Sequence, residues 1–127
     1  MTATIKPEAV RWFALNSKTK SNAVYAAKFY IPEKSWTRQS AWWFEIPRQA
    51  IETPKSAEFH LLCQSAPGAK EFYNLKVPAE FLKTELPNLC VRRTNKVSLF
   101  LSAERNEMFN EKRGSGKVNF NRFLVHD

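Results

Sequence analysis

The chain predicts an α+β fold: a single domain spanning residues 1–127, with an antiparallel or mixed sheet of about five strands and two or three short helices. Three observations predict it. A length of 127 residues leaves room for one core. Apolar residues alternate at period two in several short runs, the mark of strands with one face inward. Prolines and a proline–glycine pair punctuate those runs and set off segments of helical pattern.

The elements follow in order. Pro7 and Glu8 read as a helix start, with proline at the first helical position and an acid in the first turn, so residues 8–15 form a short helix presenting Trp12, Phe13 and Leu15. The polar run 16–22 breaks it. Ala23, Tyr25, Ala27, Phe29 and Ile31 then alternate as a strand. Trp42, Phe44 and Ile46 alternate with Trp43 and Glu45 until Pro47 ends the run. Glu58–Gln64 and Glu71–Val77 are strands joined through Pro67 and Gly68, a pair suited to the two central positions of a type II turn. Pro78 opens a helix carrying Phe81, Leu82 and Leu86, and Pro87 stops it. After a turn at Thr94 and Asn95, Val97, Leu99 and Leu101 restore strand alternation. Residues 103–113 read as a helix with Met108 and Phe109 inward and Gly114 as its stop, and Val118–Val125 as a last extended segment.

Composition narrows the function classes. The 43% apolar content, with four Trp, three Tyr and ten Phe, excludes disorder of the whole chain. The longest apolar run, Ala23–Ala27, is far short of the roughly 18 residues of a membrane span, so no membrane partner is expected. Lys6, Pro7 and Glu8 interrupt the start of the chain before a secretory core forms, which places the expected compartment in the cytoplasm or nucleoid. The formal net charge is +8, unevenly spread. Residues 1–38 carry seven bases and two acids, residues 39–91 five and six, and residues 92–127 eight and four. Two basic flanks of this kind attract polyanions, and nucleic acid is the commonest partner of such a domain. Eleven of the twelve acids are Glu, and the single Asp is Asp127, so the Asp-rich sets that hold Mg²⁺ are missing; no metal and no cofactor are expected. Nine Asn offer hydrogen bonds without repelling phosphate. Cys63 and Cys90 are too isolated for a zinc or redox motif, and Cys63 reads as a buried, reduced thiol.

Three constellations are candidates for binding. The first interleaves bases with rings: Lys28, Phe29, Tyr30, Lys34, Trp36, Arg38, Trp42, Trp43, Phe44 and Arg48. Single strands are held by cations that track the backbone and by rings on which bases stack. If Trp42, Phe44 and Ile46 face the core, alternation turns Trp43 outward, to be covered by another element or used by a partner. The second is the basic tip Arg92, Arg93, Thr94, Asn95 and Lys96, able to clamp phosphates or simply to be solvated. The third is Lys112, Arg113, Gly114, Ser115, Gly116 and Lys117, where amides of a glycine-rich turn are candidates to cradle phosphate oxygens; its spacing is not that of a Walker A loop. His60, mid-strand among apolar neighbours, reads as structural, and His126 lies in a frayed tail. No catalytic residue is expected.

The order helix, three strands, helix, strand resembles the core of the PD-(D/E)xK nucleases. In that family an acid near the second strand precedes an acid-x-Lys on the third. Glu58 stands where the first acid would, but the triplet here is Asn74-Leu75-Lys76, with an amide in place of the metal-binding acid. The resemblance spans about 50 residues and implies at most a relative without catalytic power.

The leading expectation is thus a small, basic, non-enzymatic protein that binds nucleic acid, DNA or RNA, with single strands favoured. Its contacts would come from Lys34, Trp36, Arg38, Trp43, Arg48, Arg92, Arg93, Lys96, Lys112, Arg113 and Lys117. Second comes a protein-interaction subunit or inhibitor docking on a larger nucleoprotein complex through Trp36, Arg38 and Trp43. A degenerate nuclease comes third.

Overall fold

The computed structural model describes residues 6–16, 23–35 and 38–125. Its elements run α1 (Lys6–Asn16), β1 (Val24–Ala27), β2 (Ala41–Pro47), α2 (Arg48–Glu52), β3 (Glu58–Gln64), β4 (Phe72–Pro78), α3 (Ala79–Glu85), β5 (Cys90–Val91) and β6 (Lys96–Ser102). Short 3-10 turns occur at Pro32–Lys34, Leu86–Asn88, Arg105–Glu107 and Asn121–Phe123. The α+β class expected from the sequence is present. Among the described residues, six strands are divided between two sheets of three, a mixed β1-β3-β4 sheet and an antiparallel β2-β6-β5 sheet.

The alternation of each strand explains how the sheets stack. Tyr25, Ala27, Phe59, Leu61, Cys63, Leu75 and Val77 of the first sheet meet Trp42, Phe44, Ile46, Val97, Leu99 and Leu101 of the second in one core. Ala9 and Phe13 of α1 cover the opposite face of the first sheet, packing on Leu62 and Phe72. Polar links cross the core: the Trp42 indole donates to the Gln64 carbonyl at 2.8 Å, and the Gln64 side-chain oxygen accepts from the Phe29 amide at 2.9 Å. The β3–β4 hairpin turns as the sequence predicts, with Gly68 at φ 75° and the Ala69 amide donating to the Ala66 carbonyl at 3.0 Å.

The two sheets are tied at both sides. On one side Tyr30 and Ala41 exchange backbone bonds of 2.9 and 3.1 Å. On the other, Glu111 bridges to Leu101 of β6, Asn119 bridges to Asn110, and Leu124 bridges to Leu75 of β4. The last part of the chain therefore steps from the second sheet to the first and covers edges that would otherwise stay unpaired.

Several sequence expectations are corrected here. Residues 103–113 are not a helix: apart from the turn Arg105–Glu107, they run alongside β6, with the Phe109 amide bonded to the Ser102 carbonyl and Phe109 at φ 66°. Stacking of Phe109 on Trp42, at 5.2 Å between ring centroids, and burial of Glu111 outweigh local helix preference. The strand expected to reach Ile31 ends at Ala27, and Val118–Val125 is interrupted by a 3-10 turn. On α1, Phe13 is buried while Leu15 is 80% exposed. Residues 17–22 and His126 lie outside the described residues.

Candidate nucleic-acid interface

The outer face of the second sheet carries the candidate site. Trp43 and Phe100 are cross-strand partners on that face, because alternation sends Trp42 and Leu101 inward and their neighbours outward. The Trp43 indole N–H donates to the Ser98 hydroxyl at 2.7 Å, which ties the ring to β6. Around these two rings lies a depression of about 560 Å³ lined by Tyr30, Glu33, Lys34, Ser35, Arg38 and Arg113, within the size range of ordinary ligand sites. Two distant stretches of chain meet there: the loop after β1, pinned at its ends by the Tyr30–Ala41 bridge, and the turn after Glu111.

Each cation reaches the depression for a local reason. Pro32 opens the 3-10 turn that carries Glu33 and Lys34. Arg38 sits at φ 61°, a left-handed conformation uncommon for a residue with a side chain, and its amide donates to the Ser35 carbonyl at 3.1 Å. Arg113 is set by Glu111, whose fully buried carboxylate accepts from the amides of Phe100 (2.7 Å), Arg113 (3.1 Å) and Gly114 (2.6 Å). Gly114 is required by close approach, since a Cβ there would stand 2.2 Å from the Asn88 carbonyl oxygen. Lys28 holds its ammonium over the Tyr30 ring at 5.4 Å, adding a fourth cation beside the depression.

The remaining candidates fall elsewhere. Arg92, Arg93 and Lys96 form the β5–β6 turn with Asn95 at φ 58°, and Arg48 joins them through its amide, which donates to the Asn95 carbonyl at 2.8 Å. This end of β2 lies four residues beyond Trp43, about 13 Å along the strand. Between the clusters Glu45 holds Arg92 at 2.8 Å. Arg48 pairs with Glu52 and Lys112 with Glu107. In the glycine-rich turn the amides of residues 112–115 and 117 already have acceptors within the protein. Its amides at 113 and 114 bind Glu111, that at 115 binds the Asn88 carbonyl and that at 117 the Ser115 hydroxyl, so the anion it encloses is the protein's own. Lys117 is exposed on that turn. Trp36 lies outside the described residues.

Sequence reading missed Phe100 and Glu111 and kept Tyr30 only within the wider basic–aromatic run. Tyr30 carried a signal, its place between Lys28 and Lys34. Phe100 carried none, because its pairing with Trp43 depends on a register between strands far apart in sequence.

The positions compared with the nuclease motif are engaged among themselves. Glu58 pairs with Lys76 at 3.6 Å, and Asn74 Oδ1 lies 3.2 Å from His60 Nδ1. His60 is buried against Phe13, and burial lowers its pKa. The helix–three strands–helix order is broken, since β2 leaves for the second sheet and α2 precedes β3. No group of three His, Cys, Asp or Glu side chains placed to hold a metal ion occurs among the described residues. Cys63 is a free, fully buried thiol whose pKa burial pushes up. No helix among the described residues is long and apolar enough to cross a membrane. Compared with protein-family models, with curated proteins and with solved structures, the chain matches none.

Proposed function

We propose that the protein binds single-stranded nucleic acid, DNA or RNA, as a non-enzymatic binding module, with the depression over Trp43 as its contact. The observation that carries this reading is the convergence of Lys34, Arg38 and Arg113, drawn from both basic flanks, around the rings of Tyr30 and Trp43. Cations beside stacking surfaces are what a single strand needs, and each stacked base contributes about 1–3 kcal/mol. The Lys34 and Arg38 side chains make no ion pair or hydrogen bond among the described residues, unlike Arg48, Arg92 and Lys112. Their charge is therefore available to phosphate. The Arg92–Lys96 tip offers a second basic contact along the same face.

The test is fluorescence anisotropy with labelled single-stranded and duplex oligonucleotides across a salt series. Binding of the single strand should fall linearly in log–log form. The double variant Lys34→Ala/Arg38→Ala should shallow that slope by about 1.4, two phosphate contacts at about 0.7 each on a single strand. A salt-independent response, or tighter binding to duplex, overturns the reading, and the flat response points instead to docking on a protein.

A further inference from the structure

We infer that the depression prefers guanine among the bases of a single strand, with Glu33 as the residue that reads it. This rests on the strand-binding reading above and adds a base preference to it. Among the described residues, Glu33 is the single acid lining a depression otherwise supplied with Lys34, Arg38 and Arg113. A carboxylate in a phosphate-binding basin repels the ligand unless the ligand brings donors to it. Glu33 is exposed, and among the described residues its carboxylate makes no ion pair or hydrogen bond, so both oxygens are open to a partner. An ionised carboxylate only accepts, and it accepts best in pairs.

The bases differ on this point. Guanine presents two adjacent donors, N1–H and the 2-amino group, on its Watson–Crick edge. Adenine and cytosine set one amino group beside a ring acceptor, and thymine or uracil sets one N–H between two carbonyls. Single strands leave that edge open, whereas a duplex consumes it. Next to Glu33 in sequence, Lys34 is a donor without acceptor capacity and suits the neighbouring guanine O6. The indole N–H of Trp43 is already spent on Ser98, so that ring supplies a stacking face rather than a polar contact, and discrimination falls to the acid.

The experiment uses the full chain and fluorescein-labelled thymidine pentamers whose central position is thymidine, guanosine or inosine, the last lacking only the 2-amino group. Guanosine should bind about tenfold more tightly than inosine, the usual worth of one good bidentate contact over a single one. Glu33→Gln should erase that difference and tighten the all-thymidine pentamer, since it removes a repelling charge as well as an acceptor. Glu80→Gln, at an exposed position of α3, should change neither. Equal affinity for guanosine and inosine in the parent chain, with pentamers still bound, overturns the guanine inference and leaves strand binding standing. Failure of every pentamer to bind overturns the strand reading itself. Competition by free GMP separates the two sources of guanine: GMP matching the guanosine pentamer would keep the base preference and overturn the strand reading, while weak competition supports both.

Discussion

Glu111 has no solvent exposure, yet its carboxylate stays satisfied by three backbone amides, two of them from the turn that begins at its own position. Removing the acceptor leaves those donors buried without partners, and each such loss costs about 1–3 kcal/mol. Glu111→Ala should therefore lower unfolding free energy by about 3 kcal/mol in denaturant titration and loosen Arg113 from the depression; an unchanged midpoint would refute that role. His60 makes a second residue-level prediction. Burial holds its pKa below the usual 6.5, partly opposed by the bond to Asn74, so the folded protein takes up a proton less readily than the unfolded chain. Stability is then complete above the unfolded value and declines as pH falls below 6.5 toward the folded one. His60→Gln should flatten that part of a stability-against-pH curve, and a curve of unchanged slope would show that other groups set it. Such single-residue facts were unevenly legible. The alternation around Phe59 and Leu61 was enough to mark His60 as structural and Cys63 as buried, but nothing near Glu111 in sequence distinguishes it from a solvated acid.

At the level of elements, turns that close on themselves were readable and those fixed by distant partners were not. The Pro67–Gly68 hairpin needs only its own dihedral angles, and the alternation of β2 foretold which way Trp43 points. Residues 103–113 misled because Met108 and Phe109 fit a helical face equally well, while Phe109 is drawn out of helical geometry by Trp42 and by the bond to Ser102. The glycine-rich turn shows the same dependence: Gly114 is dictated by the backbone of Asn88, reached from another part of the chain. Gly114→Ala should cost about 2 kcal/mol or more, because the clashing atom is backbone and must move. Thermal denaturation checks it, and an unaffected Tm would mean that the turn relaxes freely. At the β5–β6 turn the exposed Arg92–Glu45 pair should matter little for folding, so Arg92→Ala with Arg93→Ala should change stability by less than about 1 kcal/mol while weakening nucleic-acid binding at low salt. A large fall in Tm with binding unaltered would remove the tip as a contact.

For the molecule as a whole, the division into two sheets was hidden because β2 and β6 pair across a long intervening stretch, with Trp43 opposite Phe100, 57 positions further along the chain. Local pattern gives strands and faces, and the partner of each strand is a non-local choice. The same limit applied to charge: flank totals were plain in the sequence, but only the fold separates the cations at the depression from those at the far turn. The stretch from Phe109 onward ties one sheet to the other, and Phe120 is its fully buried anchor. Phe120→Ala should cost about 3–5 kcal/mol, measurable by denaturant titration, and a small loss would show that the closing segment is dispensable. At the opposite seam, the paired bonds between Tyr30 and Ala41 close the base of the connection between them. A segment clasped at its base can exchange most of its outward residues while the scaffold persists, much as a bit is changed in a drill chuck, so ligand preference in this architecture is free to diverge faster than the architecture itself.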